Sequence, residues 1–164
     1  MIISHAPEGY ICPFCKIAQR KENKNLLSTV NDIIYQDEVF TALVSSHQWP
    51  NNLGNVLVFP NEHYENIYDL PAELGNNLQS IIKGVALAMK QTWGCDGLST
   101  RQHNEPAGGQ DVWHYHVHVT PRYIGDEFYS NYSMNRALLS PEKRAELAHQ
   151  LRRWLMVSDW KETE

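Results

Sequence analysis

The chain has 164 residues, and a chain of this length can bury its own core as a single domain, 1–164. Its formal charge of −5 argues against a general nucleic-acid binder, which is usually basic, although one local pocket can still be positive. No stretch approaches the roughly 18 apolar residues of a membrane span, and the first nine residues lack the pattern of a secretory signal.

Three short strands are predicted in the first part of the chain. Strand-like apolar residues in 33–44 flank a polar turn at 36–38, which predicts two strands joined by that turn. The stretch 45–54 is rich in turn residues. The β-branched and aromatic run at 55–60 predicts a third strand.

Two helices are predicted further along the chain. The first begins at Asp69-Leu70-Pro71, with Asp69 as its cap, and its apolar spacing continues to a stop at Gly94. The second, at about 141–157, begins after Ser140 and has one apolar face. Strands are also predicted at 98–102 and in the histidine-rich segment that follows. The pattern is therefore α+β with an antiparallel sheet.

His114, His116 and His118 alternate inside an apolar run. Because a strand has a side-chain period of two, the three imidazoles are predicted to share one face. The opposite, buried face would carry Trp113, Tyr115, Val117 and Val119. Side chains two apart on a strand are separated by nearly 7 Å, roughly twice the rise per residue, which suits a phosphate-sized groove better than one shared metal ion.

Imidazoles in this arrangement have a clear chemical use. A neutral imidazole can attack phosphorus, and flanking imidazoles can donate hydrogen bonds to phosphate oxygens or protonate a leaving group. The alternative is a half-exposed strand whose histidines only face water.

In the preceding loop, Gly108 and Gly109 allow a ligand to approach the backbone, and Asn104 and Gln110 can offer amides to phosphate oxygens. An ordinary turn explains the two glycines equally well.

These residues resemble the histidine-triad (HIT) family of nucleotide hydrolases and transferases. The segment that carries the resemblance runs from Asn104 to Arg122 and includes Gly108-Gly109-Gln110 and the three alternating histidines. The segments 12–17 and 54–63 are similar to two further blocks of the family. The resemblance covers about 11–128. It implies a HIT-like α+β fold with an antiparallel sheet of about five strands and two main helices.

The resemblance implies a mechanism with a nucleotidyl-histidine intermediate. His116 would attack the α-phosphate of a purine nucleotide derivative, and water or another acceptor would then take the nucleotide. His118 would bind the phosphate or hold the geometry around His116, and Asn104 and Gln110 would orient the phosphate and the leaving group. The residues that match the nucleotide pocket of relatives are Pro13, Phe14, Ile17 and, beside the ribose, Ser45.

The substrate and the assembly also follow from the resemblance. Dinucleoside polyphosphates and nucleoside phosphoramidates are the candidate substrates, and a two-fold homodimer with a shared sheet is the implied assembly. A different class of function stays open, namely a nucleotide-binding, zinc-organised interaction module with little or no turnover. The presence of His116, Asn104 and Gln110 together favours the enzyme. No nucleic-acid or membrane partner is expected.

Cys12 and Cys15 form a C-x-x-C pair that can supply half of a structural zinc site. In one branch of the family the other two ligands match His63 and His114, and a Cys₂His₂ set suits a closed tetrahedral site. Zinc would occupy one nitrogen of His114 and so limit its catalytic role. Two reduced cysteines without metal are the alternative. A redox pair is less favoured, because no thioredoxin-like βαβ pattern is present. The sparse, odd set of three cysteines suits the reducing cytoplasm.

Two positions depart from the family pattern. Many relatives have Gly-His in the second block, where this chain has Gly54-Asn55. Many have serine or threonine after the loop glutamine, where this chain has Asp111, whose carboxylate would repel a polyphosphate unless protonated or turned away. The histidines without a pattern are interpreted as surface or packing residues; they are His5, His47, His103 and His149.

Overall fold

A computed structural model describes residues 4–21, 26–130 and 136–161. A short helix and four strands come first, namely α1 (Pro13–Ala18), β1 (Ile33–Gln36), β2 (Phe40–Val44), β3 (His47–Gln48) and β4 (Val56–Pro60). The later elements are α2 (Gly75–Trp93), β5 (Gly97–Gln102), β6 (Val117–Arg122), β7 (Ala137–Leu138) and α3 (Pro141–Val157). No helix in the described ranges has the length and apolar character needed to cross a membrane.

Five strands form an antiparallel sheet in the order β1-β2-β4-β6-β5. Strands β3 and β7 pair with each other in a separate two-stranded sheet. The predicted α+β fold, with about five antiparallel strands and two main helices, is therefore confirmed. Because β6 lies between β4 and β5, side chains on one face of β6 have neighbours on both sides.

The two faces of the large sheet pack against different partners. On one face, Val117 and Val119 of β6 belong to the main apolar core, together with residues of α2 and α3. On the other face, Leu57 of β4 packs in a smaller apolar cluster with Phe14 of α1. His118 stands opposite Leu57 in the β4–β6 pairing and so lies on this second face. The alternation of the sequence thus sorts apolar and histidine side chains as predicted.

The prediction of one continuous strand through all three histidines was wrong. Strand β6 begins at Val117, so only His118 lies within it. Before it, the His114 N–H donates to the Val112 carbonyl at 2.8 Å in a bend that replaces the strand ladder. Trp113, expected on the buried face, is half-buried and lies beside His5, with ring centroids 5.9 Å apart.

The start of α2 also differs from the prediction. The helix begins at Gly75, after a 3₁₀ turn over Ala72–Leu74, so Asp69 does not cap it. Pro71 precedes that turn with an extended ψ of 132°, which delays the helical conformation. Gly94 ends α2 in the left-handed conformation, with φ 61°, as predicted.

Two arginines of α3 hold the segment 27–33, which contributes to the wall of the site. The side chain of Arg144 is buried, and its Nε lies 3.2 Å from Oδ2 of the buried Asp32. Its two terminal nitrogens donate to the carbonyls of Leu139 and Leu27, each at 2.6 Å. Arg152 donates to the carbonyl of Ile33 at 2.9 Å. These hydrogen bonds and the buried pair of Arg144 with Asp32 tie the segment to α3.

Replacing Arg144 by Met is expected to lower the free energy of unfolding by about 3–5 kcal/mol, because it leaves the buried carboxylate of Asp32 without its cation. The matched control is the adjacent Lys143→Met, which removes an exposed ion pair with Glu146 of 2.8 Å. That change is expected to cost less than about 1 kcal/mol. Urea denaturation followed by fluorescence measures both, and equal losses would contradict the role given to Arg144.

Candidate functional site

His116 is buried, and its ring has a defined tautomer. Its Nδ1 lies 2.7 Å from the carbonyl oxygen of His114. A carbonyl can only accept, so Nδ1 carries the proton and Nε2 keeps its lone pair. Burial lowers the pKa of His116 and so favours the neutral ring. A neutral imidazole with a fixed Nδ1–H has the form of a nucleophile or a base.

His118 lies beside His116, with ring centroids 5.1 Å apart. Its Nδ1 is 3.4 Å from the side-chain nitrogen of Asn55, whose Oδ1 accepts from the hydroxyl of Thr120 at 2.9 Å. The amide nitrogen of Asn55 can only donate, so Nδ1 of His118 accepts and Nε2 carries the proton. Burial, followed by the charges of His116 and Arg101, lowers the pKa of His118 well below its ordinary value. Asn55, which departs from the family pattern, thus selects the His118 nitrogen that can donate to a ligand.

A cavity of about 330 Å³ opens beside these two rings. The ring of Phe14 meets that of His116 edge to face, with centroids 5.2 Å apart, at the apolar end of the cavity. Pro13 and Ile17, which the sequence predicted for this pocket, also line the cavity, and so does Leu57 of β4. Besides the two histidines, the polar residues of the lining are Ser28, Ser45, Ser46, His47, Asp111 and Arg136. An apolar slot that adjoins polar donors suits a ligand with a flat base and a phosphate.

A larger groove of about 720 Å³ lies elsewhere, along β1 and α3. Its lining contains neither a histidine nor a cysteine. We therefore assign the chemistry to the smaller cavity, because size alone does not supply a nucleophile.

The structure brings Pro13, Phe14, Ile17 and Ser45 to the cavity, but it places Asn104 and Gln110 differently. Oδ1 of Asn104 accepts from the backbone N–H of Ile67 at 2.8 Å. Nε2 of Gln110 donates to the carbonyls of Glu65 and Val112, at 2.6 and 3.0 Å. Both amides thus hold the loop to neighbouring backbone. Their assignment as nucleotide ligands stays a prediction.

Asp111 forms an ion pair with Arg136, with 3.1 Å between Oδ2 and Nη1, at the polar side of the cavity. The positive charge of Arg136 thus balances the carboxylate of Asp111, which on its own would repel a polyphosphate. Arg136 was missed because it carries no motif and lies 25 residues beyond its partner. Only the folded chain brings the two residues together.

Two histidines that the sequence analysis treated as surface or packing residues lie at the site. His47 lines the cavity. The ring of His103 meets that of His118 edge on, with centroids 5.9 Å apart, and its Nδ1 lies 2.7 Å from the carbonyl oxygen of Gly108. No period or motif marks either residue in the sequence.

Cys12, Cys15, His63 and His114 form a group of potential metal ligands, and their ligand atoms all lie within 4.8 Å of one another. Nδ1 of His114 is 3.2 Å from Sγ of Cys12 and 3.5 Å from Sγ of Cys15. Nδ1 of His63 is 3.4 Å from Sγ of Cys15. A tetrahedral zinc ion keeps sulfur and nitrogen ligands roughly 3.5 Å apart, given its usual bond lengths. The spacing of the four residues therefore fits zinc.

The protonation of His114 and Cys12 also bears on metal binding. Nε2 of His114 lies 2.8 Å from the Pro60 carbonyl, so Nε2 carries the proton and the lone pair of Nδ1 faces the sulfurs. A hydrogen bond from Cys15 lowers the pKa of the Cys12 thiol to about 7, and the same bond raises that of Cys15 to about 11. Cys12 is therefore the sulfur that loses its proton more readily, and the thiolate is the form that binds zinc.

The family model of the HIT domain matches residues 28–125. The protein named Protein hit of Bacillus subtilis is 34% identical over 122 residues, which cover 71% of this chain and 75% of that protein. Adenylylsulfatase HINT3 of Arabidopsis thaliana is 28% identical over 134 residues, which cover 82% of this chain and 64% of that protein. The crystal structure of a zinc-bound histidine triad family protein from Mycobacterium smegmatis matches with a TM-score of 0.68 at 27% identity, covering 88% of this chain and 93% of that one.

The chain therefore belongs to the HIT family, as its three motif segments predicted. Membership supports a function of the nucleotide hydrolase or transferase type in general.

Replacing His118 by Gln is expected to make folding less sensitive to acid. A histidine whose pKa is lowered by folding stays neutral in the native state, whereas the unfolded chain binds a proton below about pH 6.5. Stability is therefore lost as the pH falls through that value, by at most about 1.4 kcal/mol per pH unit. Between about pH 6.5 and 5.5, urea denaturation should show a smaller loss of unfolding free energy in His118→Gln than in the wild type.

The control for this experiment is His149→Gln, which changes an exposed histidine of α3. A His118 variant that loses as much stability as the wild type over this pH range would contradict a neutral, buried His118.

Proposed function

We propose that the protein cleaves at the α-phosphate of a purine nucleotide derivative through a covalent nucleotidyl-His116 intermediate. The observation that carries the proposal is the 2.7 Å hydrogen bond from Nδ1 of His116 to the His114 carbonyl, which leaves a neutral Nε2 at the cavity. The Arabidopsis relative is an adenylylsulfatase, and this supports hydrolysis at an adenylyl group.

The proposed binding mode uses the two ends of the cavity. The base occupies the apolar slot beside Phe14 and Ile17, and the ribose lies toward Ser45. The α-phosphate then lies at the adjacent rings of His116 and His118, which line the same cavity.

The reaction has two steps in this proposal. In the first, Nε2 of His116 attacks the α-phosphorus, the bond to the leaving group breaks, and the leaving group keeps the electron pair. The Nε2–H of His118 donates to a phosphate oxygen and stabilises the charge that develops there. In the second, water attacks phosphorus, the P–N bond breaks and returns its electron pair to His116, and the proton of the water is released to solvent. The hydrogen bond from Nδ1 to His114 persists throughout.

We also infer that Cys12, Cys15, His63 and His114 hold a structural zinc ion. The fit of the donor set and the zinc-bound relative from Mycobacterium smegmatis support this. When bound, zinc supplies a cross-link between α1 and the histidine segment and leaves no coordination position for a reactant. The role of His114 is then to hold the carbonyl that orients His116.

A cytoplasmic homodimer remains part of the proposal. Strand β5 is an edge strand of the five-stranded sheet, and a second copy could extend the sheet at that edge.

His116→Ala is expected to reduce AMP release by at least about 10³-fold, because it removes the nucleophile. The substrates are a diadenosine polyphosphate, an adenosine phosphoramidate and adenylyl sulfate, with AMP measured by chromatography. His149→Gln, on the exposed side of α3, is the control and should keep wild-type activity. Full activity in His116→Ala would refute the mechanism. Binding of AMP without turnover of any substrate would favour a nucleotide-binding module instead.

Protein purified without chelator is expected to contain about one zinc ion per chain by elemental analysis, since four ligands close the site. Cys12→Ser should lose most of this metal, because a hydroxyl is a poor substitute for the thiolate. Cys95→Ser is the matched control, since Cys95 is also buried and free but lies outside the ligand group. A wild-type protein without zinc, or a Cys12→Ser variant with full zinc content, would reject the site.

A further inference from the structure

Strand β6 divides the histidine face of the sheet into two sides. On the β4 side, Leu57 stands opposite His118 and lines the apolar slot. On the β5 side, Arg101 stands opposite the same histidine. Directly opposed residues of antiparallel strands share a face. Arg101 therefore lies on the face of His118, on the side away from the slot.

His103 lies on the same side. It follows Arg101 by two residues, and its ring contacts that of His118. Because Nδ1 donates to the carbonyl of Gly108 at 2.7 Å, Nε2 has a lone pair. This Nε2 is buried and has no hydrogen-bond partner among residues 4–21, 26–130 and 136–161. An unsatisfied buried nitrogen costs stability, and a ligand that bonds to it would recover that cost.

Arg101 brings a positive charge to this side of His118. Its guanidinium carbon lies 5.3 Å from the ring centroid of Trp49 and 4.8 Å from that of Phe128. Two aromatic rings thus restrict the position of the cation, so that its charge is held next to the site. The charge reaches His118, whose pKa it helps to lower.

We propose that His103 and Arg101 form a leaving-group subsite for an anionic group attached to the α-phosphate, namely a further phosphate or a sulfate. This inference rests on the proposed function. A nucleotide with its base in the slot on the β4 side and its α-phosphate at β6 directs its next group toward β5. That path runs from Leu57 past His118 to Arg101, in the order of the strands.

The subsite has a defined chemistry. Nε2 of His103 forms a hydrogen bond with an oxygen of the leaving group. The guanidinium of Arg101 supplies a positive charge beside it. When His116 attacks, the bond from phosphorus to the bridging oxygen breaks and the electron pair stays on that oxygen. The negative charge that develops there is stabilised by both groups. Nucleotides with a neutral amine as leaving group gain nothing from the subsite.

The test compares two substrates of the same nucleotide, a diadenosine polyphosphate and an adenosine phosphoramidate with a neutral amine. In His103→Asn, the amide can still donate to the Gly108 carbonyl, but Nε2 is lost; Arg101→Gln removes the charge. We expect each variant to lose about tenfold or more in kcat/KM with the polyphosphate, as for one charged hydrogen bond. The phosphoramidate should lose less than about threefold.

The controls are His149→Gln and Arg153→Gln, which change the same residue types on the exposed side of α3. Both should keep wild-type kcat/KM for both substrates. Equal losses with the two substrates in the His103 and Arg101 variants, or no loss with either, would overturn the subsite.

Binding measurements separate failure of the subsite from failure of the proposed function. In His116→Ala, which should not turn over, calorimetry is expected to show ADP binding about tenfold or more tightly than AMP. Adding His103→Asn or Arg101→Gln should remove this difference and leave AMP binding within about twofold. Equal binding of AMP and ADP by His116→Ala would reject the subsite but keep the nucleotide site. Binding of neither nucleotide would reject both.

Discussion

The two hydrogen bonds of His114 determine the chemistry of the whole site. Its Nε2–H donates to the Pro60 carbonyl, at the end of β4, and this turns Nδ1 toward the sulfurs of Cys12 and Cys15. Its backbone carbonyl accepts from Nδ1 of His116. One residue thus presents a lone pair to the metal-ligand group and also leaves a lone pair on Nε2 of His116. A displacement of the backbone at His114 would disturb both, so the metal group and the nucleophile depend on the same position.

The fold could be predicted where the signals are local. Hydrophobic periodicity predicted the order of strands and helices, and a left-handed glycine, Gly94, marked the end of α2. The start of β6 could not be predicted, because the bend before it depends on distant groups. The N–H of Tyr115 donates to the carbonyl of Tyr64, about 50 residues earlier, and so is drawn away from a sheet ladder. Tertiary hydrogen bonds of this kind leave no period in the sequence.

The residues of the site also fall into two groups, those that local motifs predicted and those that only tertiary contacts bring to the site. The four metal-ligand residues and the paired rings of His116 and His118 were predicted from motifs, and the structure brings each set together. His103 and Arg136 were missed, since their approach to the histidines depends on the pairing of β5 with β6 and on a contact across 25 residues. Gln110, predicted to contact the nucleotide, donates to neighbouring backbone carbonyls, and its contact with a nucleotide stays a prediction. A motif indicates which residues belong to a site, but packing decides which of their atoms face the ligand.

The covalent attachment of a nucleotide to His116 is the central claim, and it can be tested directly. The protein is mixed with a diadenosine polyphosphate, quenched in denaturing base within the first turnover, digested, and its peptides are analysed by mass spectrometry. We expect one AMP residue on the peptide that contains His116, formed before steady-state release of AMP, because Nε2 is the unprotonated nitrogen at the cavity. Rapid release of AMP with no adenylylated peptide at any time would contradict the mechanism.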